Sequence, residues 1–157
     1  MVLVRIIGLG SMNNAGILWD FALEAMCSGP CRLAFDLAEC RGMDSTFMGT
    51  LVGLSQEIDE RMGGDGWVCV FNVSEANREL LNIIGVDKYV RFRACMPMEP
   101  IETQALVGGD VSPEKRYEIV RRAHEKLVSI HKRNEARFGA FLESLAAEMG
   151  RAGGRSE

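Results

Sequence analysis

The first ninety residues alternate between two hydrophobic periods, and this alternation narrows the fold more than any motif in the chain. Val2 to Ile7 is a short apolar run rich in β-branched residues and reads as a strand. From about Ala15 to Met26, the residues Leu18, Phe21, Ala22, Ala25 and Met26 recur at helical spacing, and Gly29-Pro30 ends that pattern. Arg32 to Leu37 reads as a second strand. Phe47, Leu51, Leu54 and Ile58 mark a second helix, closed by Gly63-Gly64. Trp67 to Val73 is the most strand-like run, apolar on both faces as a central parallel strand is. Ser74 caps a short helix through Leu80, Leu81 and Ile84 that stops at Gly85, and Lys88 to Phe92 reads as an edge strand. Strands alternating with helices predict an α/β domain, a small and mainly parallel four-stranded sheet with crossover helices.

Composition sets outer limits on what such a domain can do. The chain has 157 residues, enough to bury one core without staples. Hydrophobic residues are 47% and charged residues 25%, which excludes a disordered chain. The net charge of −4 argues against sequence-independent binding of nucleic acid, which needs a basic footprint. No apolar run approaches the roughly 20 residues of a membrane span. Met1-Val2-Leu3-Val4-Arg5 is interrupted too soon for a secretory signal. A cytoplasmic chain with no direct nucleic-acid or membrane partner is therefore expected. The five cysteines (Cys27, Cys31, Cys40, Cys69 and Cys95) include no CxxC, fit a reducing compartment, and are expected to be small core residues rather than metal ligands.

Residues 95–112 hold two of the four prolines and two adjacent glycines, and read as a linker. Ser112-Pro113-Glu114 then has the chemistry of a helix start. Nothing breaks the pattern before Gly139, so one long helical extension is predicted over 113–149, followed by a disordered tail over 150–157. Tyr117, Val120, His124, Leu127, His131, Asn134, Phe138, Phe141 and Leu145 form a heptad-like seam with a polar middle. A seam without cover invites a second copy of the chain, so a homodimer through this helix is expected, with a helix folded back on its own domain as the monomeric alternative. Residues 1–100 carry a net charge of −5 and residues 101–157 a net charge of +1, so the helix is suited to an acidic body, its own or a partner's.

Two candidate sites yield to plainer readings. Ile7-Gly8-Leu9-Gly10-Ser11-Met12-Asn13 follows a strand and precedes a helix, the context of a dinucleotide-binding turn, and Asp36 stands where a ribose-binding acid would. The third glycine of that fingerprint is missing, with Asn13 in its place, and a glycine-bearing strand-to-helix turn is the favoured reading. His124 and His131 are seven apart on one helical face, roughly 10 Å, too far to share a metal. No hydrolase, zinc-protease or nucleotide-triphosphate motif occurs, and no cofactor is implied.

The informative segment is Phe35-Asp36-Leu37-Ala38-Glu39-Cys40-Arg41-Gly42-Met43-Asp44-Ser45-Thr46-Phe47-Met48-Gly49. A strand ends at Asp36-Leu37, a loop leads to Asp44 as an N-cap, and Ser45 and Thr46 fall in the first helical turn. Unpaired backbone N–H groups and the positive end of the helix dipole favour an anion at that place. A phosphate on Ser45 is compatible with the fold there and adds nearly two negative charges beside Asp44.

This segment resembles the STAS domain of bacterial anti-sigma factor antagonists, whose pattern is a strand ending in Asp-Leu or Asp-Ile, then a hydrophobic residue, Asp-Ser, a small or hydroxyl residue, and a helix with Gly and Leu. The Gly8 turn, the Trp67–Asn72 strand and the Asn77–Val86 helix end fit the same pattern, and the resemblance covers roughly residues 1–93. It implies a non-enzymatic switch over residues 1–94. Unphosphorylated, such a domain binds an anti-sigma factor or switch kinase with a kinase-type ATP-binding fold. The kinase phosphorylates the serine after the Asp, and a phosphatase resets it. By position Ser45 matches the phosphoacceptor, Thr46 the second hydroxyl, and Asp36 and Asp44 the neighbouring acids. Phe47 stands where the family usually has a small residue, so Phe47 and Met48 are expected to form an apolar contact with the partner. The family usually has an extra strand before the one beginning at Val2, which is not expected here, and the helix from Pro113 lies outside the basic domain.

Overall fold

The computed structural model describes residues 1–29, 31–95, 103–106 and 110–153. Four parallel strands form the main sheet: β1 (Val2–Arg5), β3 (Arg32–Asp36), β5 (Trp67–Phe71) and β6 (Arg91–Arg93), in the order β1-β3-β5-β6. The pairing aligns Arg5, Asp36, Phe71 and Arg93 in one row at the carboxyl end of the sheet. β5 is buried on both sides, as its uninterrupted apolar run requires: Val68 and Val70 join the main core, and Cys69 and Phe71 pack with Ala34 opposite. Helices α1 (Met12–Cys27), α2 (Ser45–Met62) and α3 (Glu75–Ile84) follow strands in the predicted alternation. Ser74 caps α3, and Gly85 ends it in the left-handed region at φ 86°.

Two short strands were not legible in the sequence. β2 (Gly8–Gly10) and β4 (Cys40–Met43) form a separate parallel pair. At three and four residues they are too short to show a period. Each runs through a single capping residue into a helix, Ser11 into α1 and Asp44 into α2. Pairing Gly10 with Met43 therefore sets the N-termini of α1 and α2 side by side.

The expected single helix over 113–149 is broken. α4 spans Pro113–Ile130 and α5 spans Lys132–Gly153, separated by His131 in an extended conformation. The two helices form a hairpin, since the rings of Phe138 and Phe141 in α5 lie 5.2 and 4.7 Å from that of His124 in α4. No proline or glycine causes the break; side chains compensate it. His131 caps α5, its Nδ1 accepting the Arg133 N–H and its carbonyl the Asn134 N–H. Asn134 Nδ2 donates to the carbonyls of Leu127 and Ile84, at the C-terminal ends of α4 and α3. The polar middle of the seam, expected to set the register of a dimer, is thus used within the chain. α5 also continues through 150–153, where a disordered tail was expected, and residues 154–157 lie outside the described residues. The described part of the 95–112 linker carries no helix or strand, while 96–102 and 107–109 lie outside the described residues.

α4 lies on α1 and α2 through Ile119, Val120, Ala123, His124 and Leu127. The contact is close because small residues face it. A Cβ on Gly49 would overlap the backbone of Ala123, and one on Gly16 would stand 2.5 Å from Ile119 Cδ1. Charge supports the docking as the sequence suggested, with the chain's own body as the acidic partner. Lys115 Nζ is 2.8 Å from Asp20 Oδ2, and the Arg122 guanidinium lies 3.9 Å from the centre of the Trp19 ring. Of the cysteines, Cys31, Cys40 and Cys69 are buried as expected, but Cys27 and Cys95 are exposed. Burial pushes the thiols of Cys31 and Cys69 above their ordinary value.

Candidate functional site at the N-terminus of the second helix

The site grows from Asp44. Its Oδ1 accepts the Phe47 N–H at 2.8 Å, closing the first turn of α2, and its Oδ2 accepts the Met12 N–H of α1 at 2.9 Å. One carboxylate therefore caps two helices whose positive dipole ends converge on it. This also disposes of the dinucleotide reading in physical terms: the N-terminus of α1, where a pyrophosphate would sit, already holds the Asp44 carboxylate. Ser11 and Asn14 complete a capping box on the same helix.

Ser45, the first residue of α2, is half-buried, whereas Thr46 is 4% exposed. Of the two candidate hydroxyls, Ser45 is the more accessible. The N–H groups of Ser45 and Thr46 stand in the first helical turn and have no acceptor within the helix. The Ser45 hydroxyl has a partner that the sequence reading placed in a dimer seam: its Oγ is 2.9 Å from Nε2 of His124. His124 is 4% exposed, and its Nδ1 is 2.8 Å from the carbonyl oxygen of Val120. A carbonyl can only accept, so Nδ1 carries the proton. In the neutral ring Nε2 is then the acceptor and Ser45 Oγ–H the donor. Burial pushes the His124 pKa below its ordinary value, outweighing the Val120 hydrogen bond and the field of Asp44, and this favours the neutral ring.

Asp36, the other expected acid, belongs to a different network. Its Oδ1 accepts the Asn72 side-chain N–H at 2.9 Å and the Ala38 N–H at 3.1 Å, and its Oδ2 lies 3.5 Å from Arg5 Nε. Asn72 adopts φ 53°, a conformation Asn tolerates better than most residues. This cluster marks the carboxyl edge of the sheet.

The expected apolar contact of Phe47 and Met48 with a partner is corrected. Phe47 is 0% and Met48 4% exposed. The Phe47 ring packs against Gly10 so tightly that a Cβ there would approach it to 2.7 Å. A large residue is accommodated at this position because it fills the space left by a glycine in β2. The exposed apolar groups near the site are Ile7 and Leu9, the latter 60% exposed and next to Gly10, whose carbonyl accepts the Asp44 N–H. The sequence reading weighed this segment as a glycine-bearing turn and not as an apolar surface, because three residues of strand are too few to show which side chains face out.

No protein-family model matches the chain, and no curated protein sequence matches it. Among solved structures, the NMR structure of the protein TM1081 is similar at a TM-score of 0.53 and 16% identity, over 58% of this chain and 71% of that one. At that identity the likeness shows the fold alone. Two further structures match at scores where a likeness carries no weight. The anti-sigma factor antagonist SpoIIAA in its unphosphorylated form gives a TM-score of 0.49 at 14% identity, over 59% of this chain and 78% of that one. A sulfate transporter family protein from Wolinella succinogenes gives 0.48 at 18%, over 57% and 74%. The architecture itself, four parallel strands with crossover helices and Asp44-Ser45 at the start of α2, is the STAS-like one that the sequence resemblance implied. Among the described residues no helix is long and apolar enough to cross a membrane.

Proposed function

We propose that the chain is a phosphorylation-switched interaction module of the anti-sigma antagonist type, with Ser45 as the phosphoacceptor. The observation that carries this reading is half-buried Ser45 at the first position of α2, next to the Asp44 cap and in a turn whose first N–H groups have no helical acceptors. A phosphate there gains those N–H groups and brings nearly two negative charges to a surface that already holds Asp44. The surface offered to a partner consists of Ile7, Leu9, Asp44 and Ser45. The partner, from the family resemblance, is an anti-sigma factor or switch kinase with a kinase-type ATP-binding fold, with a phosphatase to reset the serine.

The test is recovery of the full chain from its native cell, with mass spectrometry of bound proteins and of the 44–48 peptide. A kinase-type partner that co-purifies with the unphosphorylated chain and with Ser45→Ala, but is lost with Ser45→Asp, supports the reading. Phosphate found elsewhere, or binding unaffected by Ser45→Asp in a folded variant, overturns it.

A further inference from the structure

Among the described residues, His124 is the side chain that meets the Ser45 hydroxyl, and the proposed switch leaves this contact without a role. Three features fix the ring. The Val120 carbonyl holds Nδ1–H at 2.8 Å, so the Nε2 lone pair faces Ser45. Phe138 meets the ring edge-on, at an interplanar angle of 75°, and Phe141 lies against it at 50°. The break at His131 brings both phenylalanines there, because a continuous helix would carry them about 20 Å away along its axis.

We infer that His124 orients the Ser45 hydroxyl and accepts its proton when Ser45 attacks phosphorus, so that the C-terminal hairpin supplies the base for the acceptor serine. This rests on the reading of Ser45 as a phosphoacceptor. With a nucleoside triphosphate as donor, Ser45 Oγ forms a bond to the terminal phosphorus. The bond from that phosphorus to the bridging oxygen breaks, its electron pair leaving on the nucleoside diphosphate. The hydroxyl proton passes to His124 Nε2, and the resulting imidazolium keeps its Nδ1–H on Val120. The N–H groups of Ser45 and Thr46 stand close by to meet negative charge developing at the phosphoryl oxygens. The groups facing the ring are the Ser45 hydroxyl from α2, Phe138 and Phe141 from α5, and the Val120 carbonyl from its own helix, and the Asp44 carboxylate at the cap of α2 acts on it through its field. The sign of that field favours the imidazolium that forms.

The step can be read without the kinase by treating the full chain with diisopropyl fluorophosphate. There Oγ–P forms, P–F breaks, fluoride leaves, and the proton goes to the same nitrogen. Adduct at Ser45 is quantified by mass spectrometry from about pH 4 to pH 9. The wild-type rate is expected to rise through one inflection below the ordinary histidine value and then level off. His124→Gln, which keeps hydrogen-bonding capacity without a titrating base, is expected to label about 100-fold more slowly and to lose the inflection. A rate that climbs steadily with pH in the wild type, equal labelling of His124→Gln, or no adduct at Ser45 overturns the inference. The wild-type profile decides even where the variant does not fold. Phosphate at Ser45 in the native cell without a reactive hydroxyl leaves the phosphoacceptor reading standing and removes His124 from it. A His124-dependent adduct on a serine never phosphorylated in the cell does the reverse.

Discussion

Ser45 Oγ and His124 Nε2, from residues 79 apart in sequence, lie 2.9 Å apart between the first turn of α2 and the middle of α4. The contact ties the C-terminal hairpin to the place where the family resemblance puts the switch. It also explains a buried histidine that would otherwise face hydrocarbon with an unsatisfied nitrogen.

Stability is expected to depend on pH through this histidine. Burial holds the folded His124 below its ordinary value of 6.5. The unfolded chain therefore binds a proton near pH 6.5 where the folded chain does not. The contribution is fully present above that pH, is lost as pH falls from 6.5 towards the folded value, and stays flat below it. Each unit of depression is worth about 1.4 kcal/mol. Urea unfolding at about pH 7.5 and pH 5.5 reads it: the wild type should lose more stability on acidification than His124→Gln. Equal losses in the two would remove His124 as the source.

Gly49→Ala is expected to push α4 off α2. The new methyl group would overlap the Ala123 backbone, which cannot swing aside as a side-chain tip can. The cost is about 1–3 kcal/mol by overpacking. Hydrogen exchange should quicken in α4 and α5 before it does in β3 and β5. Unchanged protection in α4 would show that the helices have room to separate.

Asp44→Ala removes one hydrogen bond at the start of each of two helices. The expected loss is about 2–3 kcal/mol, a fall in Tm of about 4–12 °C for a chain of this size. Asp44→Asn keeps an acceptor but not the charge, and should fall between it and the wild type. Circular dichroism melts check the order of the three proteins.

Phe47→Ala is expected to act on folding, not on docking. The side chain is fully buried against Gly10, and its loss should cost about 3–5 kcal/mol. A melting curve displaced by that amount, with partner affinity unchanged in the fraction that remains folded, is the expected result. Lost affinity at wild-type stability would return Phe47 to the surface.

Legible in the amino-acid order alone were the α/β alternation, the N-caps Asp44, Ser74 and Ser112, the stops at Gly63 and Gly85, and Ser45 at a helix start. These are local matters of period, cap chemistry and backbone freedom, decided within a few residues of each other. Tertiary structure decided the rest. The pairing of β2 with β4 rests on two strands too short to announce themselves, yet it brings both helix N-termini to one carboxylate. The burial of Phe47 depends on a glycine 37 positions earlier. The C-terminal seam read as one helix because the sequence holds no proline or glycine near His131, where the chain breaks. The break at His131 is stabilised by Asn134 bonds to the ends of two helices, one of them 50 residues away, and by Phe138 and Phe141 closing on His124. A heptad pattern states that a face must be covered; only the packed chain decides whether a second copy or its own body covers it, because burial is a property of what lies opposite and not of the helix that carries it.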